Sequence, residues 1–321
     1  KEGGKIMKME KRVYGILGIS SIMSNWNADF SGEPKSISNG RIFGSDKAFK
    51  YPMKKMWENQ GEKVLYIKSL KVDKGALIPK TLKERYEQLF PEKKLDKNTE
   101  TIEVIKNLFK AIDVKNFGAT FAEEGNNISI TGAVQIGQGF NFYDESNTEV
   151  QDILSPFRDP KGKVNKETKE NEDAKNSTLG TKIVSDEAHY FYPFNINPLA
   201  YKEFTELEIT DGYTEEDYFK FKEAALSSAT SFATNSKVGC DNEFGLFIET
   251  EEDFYLPILT QYIKFEKGEE KNKITLNLST ILKGVENHIK NIEIYYNPVT
   301  TEIITDISNY KLINILTKKE V

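Results

Sequence analysis

The run VYGILGISSIM, residues 13–23, decides how the chain is read. Lys11 and Arg12 precede it, as basic residues precede the apolar core of a secretory leader. The run is short, it holds two serines, and no A-x-A cleavage pattern follows, so it reads as a buried strand. No apolar stretch approaches the roughly 20 residues that span a bilayer, and no membrane association is expected. Cys240 is the single cysteine. An internal disulfide is therefore excluded, and a reducing, cytoplasmic setting is expected.

Beyond this strand (12–23), residues 24–45 are rich in Ser, Asn and Gly and read as a loop. Phe49, Met53 and Met56 recur at helical spacing and predict a helix over 46–59, which Pro52 either kinks or delays to its own position. EKVLYIKSL at 62–70 reads as a strand and 80–89 as a short helix. Residues 101–112 place Ile102, Ile105, Leu108, Phe109 and Ile112 on one helical stripe. Strands over 113–122 and 127–137, joined through EEGNN, read as a hairpin. Residues 144–187 are almost wholly polar and cannot order themselves alone. Thr214, with Asp217 three positions on, forms a capping box for a helix over 214–235. NEFGLFIE at 242–249 reads as a strand, and 256–315 add strand-like runs with a helix near 279–290. The core order is βαββαβ. This is an α+β, ferredoxin-like arrangement, shared with RNA-recognition-motif (RRM) domains. Two long insertions interrupt it, and insertions of this size in a compact core are usually functional or disordered.

The 321 residues carry a formal net charge of −6, which repels polyanions at long range. The distribution is uneven. Residues 35–74 hold ten Lys/Arg against four Asp/Glu, a net of +6, whereas 203–253 hold three against fourteen, a net of −11. Such a chain can meet a polyanion with one face and turn the other away, or stack on itself, basic side to acidic side. Lys47, Lys50 and Lys54 recur at i, i+3 and i+7 and share one helix face. Ordinarily such a face is only solvated. Here nearby acids are few, and the preceding loop offers Ser38, Asn39, Gly40 and Arg41 to phosphates. Ser45 or Asp46 can cap a helix whose N-terminus favours anions. Phosphate binding is the expected role.

His189, His288 and Cys240 are far apart and lack ligand spacing, so no metal, cofactor or Cys/His catalytic site is expected. GQG at 137–139 has no helix after it and reads as a strand-end turn. KNFGATF at 115–121 echoes the RNP1 pattern, but Asn116 and Ala119 break it, and a core strand is the plainer reading. Asp29, in NWNADF, could assist RNA cleavage through a metal. With no second carboxylate nearby, a turn role is preferred.

The ordered blocks ILGISSIMSNWNADF, NGRIFGSDKAFKYPMKKMW, FKAIDVKNFGATFA, SITGAVQIGQGFNF, NSTLGTKIV, AHYFYPFNINP, GYTEEDYFKFKEAAL and ATNSKVG resemble the crRNA-binding backbone subunit of type I CRISPR effector complexes (Cascade), most closely the type I-B branch. The resemblance spans most of residues 12–249. It implies an RRM-like palm (12–23, 101–143 and 188–321), a finger insertion (24–100) and a thumb (144–187). It also implies copies stacked head to tail on crRNA, each thumb kinking the RNA while the other bases are presented to target DNA. Further implied partners are the large subunit, the small subunit and the 5′-handle-binding subunit.

By the same resemblance, RNA contacts fall on Asn25 and Asn27 in the strand-end loop. In the finger they fall on Gly40, Lys50 and Lys54, beside Ser45 and Asp46. Others fall on Gln135 and Gln138, on Leu179 as a wedge between bases, and on Ser231, Asn235, Ser236 and Lys237 after the second long helix. The chain departs from related sequences in three ways. Phe30 follows the loop aspartate where a proline is common, lysines replace arginines, and Pro52 sits in the finger helix. The expected function is a non-enzymatic RNA scaffold. An RNA-processing endonuclease using the loop aspartate is the alternative, and the absence of paired carboxylates or a histidine constellation argues against it. A regulatory binding protein unrelated to guide RNA is a third reading.

Overall fold

Thirteen residues, Arg12–Ser24, form β1, the centre of a nine-stranded sheet in the computed structural model, which describes residues 7–92, 94–158 and 176–321. Alternation along β1 sends Val13, Leu17 and Ile19 to one face and Tyr14 and Ile16 to the other, and all are buried. Both faces of the sheet are therefore covered.

Next come β2 (Phe43–Gly44) and α1 (Asp46–Asn59). The Ser45 side chain accepts a hydrogen bond from the Ala48 N–H and fixes the first turn, so the helix starts at Asp46 and carries Pro52 in its interior. Residues 62–69 form no strand. The buried Asp113 carboxylate accepts from the Leu65 and Tyr66 N–H groups at 2.8 and 2.7 Å, and so takes donors that a ladder would need. A hairpin of β3 (Leu70–Asp73) and β4 (Ala76–Pro79) then leads to α2 (Leu82–Leu89).

The helix predicted over 101–112 is two helices, α3 (Thr101–Leu108) and α4 (Ile112–Phe117). Residues 113–117 are thus helical rather than extended. Buried Asn116 holds that turn by donating to the Ile112 carbonyl at 2.8 Å and accepting from the Tyr213 hydroxyl at 2.7 Å. Gly118, at φ +81°, ends it. The hairpin of β5 (Gly118–Glu123) and β6 (Asn126–Thr131) forms its own two-stranded sheet. The RNP1-like echo at 115–121 consequently lies off the central sheet.

The central strands are instead β7 (Val134–Ile136), β8 (Gly139–Asn141) and the 21-residue β10 (Asn176–Ile196), which follows β9 (Thr148–Arg158). After α5 (Lys202–Glu206) come α6 (Glu215–Ala225), α7 (Ser228–Ser231) and β11 (Cys240–Thr250). Thr214 and Asp217 form the expected capping box. The helix breaks before residue 228, where the Asn242 side chain accepts from the Ala229 N–H and donates to the Ala225 carbonyl. The remainder is β12 (Ile263–Glu266), β13 (Asn272–Leu276), α8 (Ser279–Leu282), β14 (Ile289–Tyr296), β15 (Thr301–Thr305) and β16 (Lys311–Asn314).

The sheet runs β16-β14-β11-β1-β10-β8-β2, with β7 and β9 also on β10. Its centre is antiparallel, in the ferredoxin-like order of fourth, first, third and second strands. The α+β, RRM-like class holds, but β7/β8 and β10 replace 113–122 and 127–137 as the second and third strands. Residues of α1, α4 and α6 join one face of the sheet in a single core that includes Trp26, Phe49, Trp57, Val114 and Phe221. The other face, with Tyr14, Ile16, Phe191, Phe244 and Leu246, lies under Ile263, Phe265, Ile274 and Leu276 of β12 and β13. His189, stacked on Phe265 at 4.0 Å, pins this layer to β10.

Candidate nucleic-acid interface

β1 and β10 stay paired as far as Ser24 and Ser185, and the first residues of β10 pair with β9 alone. The β9–β10 hairpin thus extends past the sheet. Val150 and Leu154 of β9 are both 61% exposed, an apolar surface that the polar composition of this segment concealed. Leu179 lies in β10, but its side chain falls outside the described residues.

A cleft of about 240 Å³ opens where this hairpin meets the end of β1, lined by Asn25, Ile183, Lys182, Asn235, Ser236 and Lys237 among others. Four of the sequence-predicted RNA contacts meet here from positions more than 200 residues apart. The Asn25 N–H donates to the Ser236 carbonyl at 2.9 Å. Its side-chain amide donates to the carbonyls of Gly32 (3.0 Å) and Ile183 (3.2 Å), which fixes the ring of loops around the cleft.

Lys237 supplies the charge. Its Nζ donates to the Asn25 carbonyl at 2.6 Å and to the Trp26 carbonyl. Burial lowers its pKa. Three other half-buried lysines sit against carboxylates: Lys11 on Glu215 and Glu249, Lys115 on Asp217, and Lys222 on Glu293. For Lys237 no carboxylate within ion-pair distance occurs among the described residues. An ammonium so placed is stabilised by two carbonyl dipoles and is short of one counter-charge. Lys182 and Thr181, which line the same cleft, were missed by sequence reasoning although they lie in the matched block NSTLGTKIV.

The finger lysines are placed otherwise. Lys50 pairs with Asp46 at 2.8 Å and lies over the Phe117 ring at 5.0 Å. Lys54 lies 3.8 Å from Asp113 and donates to the Tyr66 carbonyl at 3.2 Å, and burial lowers its pKa. Their shared face packs against Asp113 and Phe117 of α4 and is only partly open to solvent; Lys47 alone of the three is exposed. Asn27 accepts from the Ser45 N–H at 2.8 Å, which ties the cleft loop to the start of α1. Tyr51 of α1 meets Phe232, so Ser231 and Lys47 belong to neighbouring surfaces.

Ser38, Asn39 and Gly40 form an exposed turn, with Gly40 at φ +86° and the Asn39 side chain accepting from the Arg41 N–H. The Arg41 guanidinium donates to the Asn141 carbonyl at 3.1 Å and lies over the Phe140 and Phe142 rings. Gln135 is paired opposite Asn195, twelve residues along β10 from Ile183. At 3.3 Å per residue that is roughly 40 Å from the cleft. Gln138 is exposed in the link between β7 and β8. Neither glutamine joins the cleft.

Asp29 is engaged locally. One carboxylate oxygen accepts from the Ser31 N–H (2.8 Å), the Ser31 hydroxyl (2.7 Å) and the Glu33 N–H (3.0 Å). These bonds, the Ser31 hydroxyl first, hold its pKa below the usual value. No group of three or more potential metal ligands occurs among the described residues.

An RRM-like palm with a projecting hairpin and a cationic cleft at the hairpin root defines the class of this protein. The chain belongs to the Cas7 family: the sequence profile for CRISPR-associated protein Cas7 matches residues 11–281. Among solved structures it is similar to a chain of a "CRISPR RNA-guided surveillance complex, pre-nicking", at 15% identity and TM-score 0.47, over 77% of this chain and 80% of that one. A chain of a "CRISPR RNA-guided surveillance complex" is similar at 15% identity and TM-score 0.44, over 91% and 95%. No curated protein matches. No helix among the described residues is long and apolar enough to cross a membrane.

Proposed function

We propose that this chain binds CRISPR guide RNA and polymerises along it as the backbone subunit of a type I Cascade complex, presenting the guide for pairing with target DNA. Residues 24–100 serve as the finger and 144–187 as the thumb. The observation that carries this reading is the cleft at the hairpin root, where Lys237 holds a half-buried positive charge with no carboxylate partner among the described residues. A backbone phosphate supplies the missing counter-charge, and the surrounding Asn235, Ser236 and Thr181 supply neutral hydrogen-bonding groups. Such contacts carry no base information, so sequence is read by pairing in the guide and geometry is held by the protein. Membership of the Cas7 family supports the same reading. The partners are crRNA, further copies of the chain, and the large, small and 5′-handle-binding subunits, meeting in the cytoplasm. The type I-B assignment rests on the order of the sequence blocks.

The nuclease alternative is disfavoured by Asp29, whose carboxylate fixes its own turn. The decisive experiment is to purify the chain from cells that transcribe a CRISPR array, extract the bound nucleic acid and sequence it. Guide RNA is the expected cargo. Protein free of RNA that stays monomeric on long single-stranded RNA in low salt overturns the scaffold reading.

A further inference from the structure

Phe30 is 112% exposed, so no other described residue covers its ring. A single exposed apolar residue is ordinary on a protein surface. This one is unusual in its mounting. Asp29 and Gly32 stand at the first and fourth positions of a tight turn, closed by the Gly32 N–H on the Asp29 carbonyl at 3.2 Å. The three bonds to the Asp29 carboxylate brace the turn from within. A further bond from the Asp29 N–H to the Glu33 carbonyl, at 2.8 Å, closes its base. Phe30 occupies a corner of this braced turn and projects into solvent.

The turn stands at the cationic cleft. Ala28 and Gly32, two positions to either side of Phe30, line it together with Lys182 and Lys237. The Asn25 amide ties Gly32 to Ile183 of the hairpin, so the ring is held at a set distance from the charge. An aromatic face carried on a braced turn beside a phosphate-binding cation is the pairing by which proteins hold single-stranded nucleic acid, one group for the base and one for the backbone.

We propose that Phe30 is a stacking platform for one unpaired nucleobase of the RNA whose backbone enters the Lys237 cleft. The assignment rests on the RNA-binding reading of that cleft and adds to it a contact that is apolar and indifferent to base identity. Asp29 is then a positioning residue for the ring. Because the ring packs against none of the described residues, replacing it is expected to leave the fold intact, and a binding defect reports the contact itself.

The test compares wild-type protein, Phe30→Ala and Phe30→Trp on a single-stranded oligouridylate of roughly ten nucleotides, within the range of such sites. The same oligomer built with abasic riboses is the second probe. Phe30→Ala is expected to bind oligouridylate between about 5-fold and 150-fold more weakly, the span of base–aromatic stacking. Its salt dependence stays unchanged, because no ionic contact is lost. Phe30→Trp restores binding, and on the abasic oligomer wild type and Phe30→Ala bind alike. Equal affinity of wild type and Phe30→Ala for oligouridylate overturns the platform while leaving the RNA-binding cleft standing. A Phe30→Ala defect confined to particle formation on long RNA assigns the ring to a neighbouring copy and overturns it too. Wild-type protein that binds neither oligomer overturns both readings.

Discussion

Replacing Lys237 with methionine tests the cleft most directly, because methionine keeps much of the side-chain length and removes the charge. In the free protein two effects oppose each other. The Asn25 and Trp26 carbonyls lose their donor, which costs about 1–3 kcal/mol for a buried acceptor. Removing a half-buried cation that has no carboxylate partner among the described residues relieves a desolvation penalty. The net loss of stability is expected to stay within about 2 kcal/mol. On RNA the same change removes a charge-assisted contact of about 1.5–3 kcal/mol, so affinity falls roughly 10- to 150-fold. The log–log salt slope on single-stranded RNA becomes shallower by about 0.7, one phosphate's share of released counterions.

The control is Lys50→Met with Lys54→Met, which removes twice the charge. The structure sets those ammonium groups against Asp46 and Asp113. Their loss therefore leaves the fully buried Asp113 side chain without its cation and destabilises the fold by roughly 3 kcal/mol, with little change in salt slope. Fluorescence anisotropy titrations over a range of salt, paired with denaturant melts, separate the two patterns. A wild-type slope in Lys237→Met together with a shallower slope in the finger double mutant would refute the reasoning and return the phosphate contacts to the finger helix.

Other consequences are equally accessible. Gly239 sits at φ +106°, and a Cβ there would lie 2.2 Å from the Ile22 carbonyl oxygen, so Gly239→Ala should cost at least about 2 kcal/mol by denaturant midpoint and disorder the cleft. Val150→Ser with Leu154→Ser alters exposed side chains; monomer stability should change by less than about 0.5 kcal/mol, while light scattering should show fewer large particles on long RNA. His189 lies between Glu243 (2.8 Å) and Glu187 (3.0 Å). Burial alone would lower its pKa, but the two carboxylates outweigh burial and raise it. Its contribution is thus fully present below the unfolded value of about 6.5 and fades as pH climbs through the raised folded value. Melting temperature should fall across that window in the wild type and should lack this component in His189→Gln; identical pH profiles for the two proteins would remove His189 from the account.

Local chemistry made several elements legible before the structure. The unbroken apolar run of β1, the Ser45 cap and the Thr214–Asp217 capping box each lie within a few residues of what they determine. The errors fall where a distant residue decides. Residues 118–131 alternate like sheet strands and do form a hairpin, but alternation does not say which sheet a hairpin joins. The true third strand, β10, was hidden because its first nine residues, NSTLGTKIV, pair with β9 alone and have little apolar surface to bury. The spacing of Lys47, Lys50 and Lys54 correctly puts them on one helix face. What covers that face, Asp113 and Phe117, arrives about sixty residues later: Lys54 approaches the Asp113 carboxylate and Lys50 lies over the Phe117 ring.

The C-terminal layer explains why the proposed RNA-binding surface lies at the end of the sheet and not on it. RRM domains stack bases on an open sheet face. Here that use is closed, because Phe191, Phe244 and Leu246 are buried beneath β12 and β13. A βαββαβ order therefore points to the wrong surface when taken alone. With both faces filled, side chains that reach solvent near the centre of the palm do so through the loops at the strand ends. At the hairpin root those loops bring together Asn25, Ser236 and Lys237. The layer that removes the flat platform also holds β10 in place through His189 and Phe265. It thereby fixes the base of the hairpin on which the proposed cleft depends.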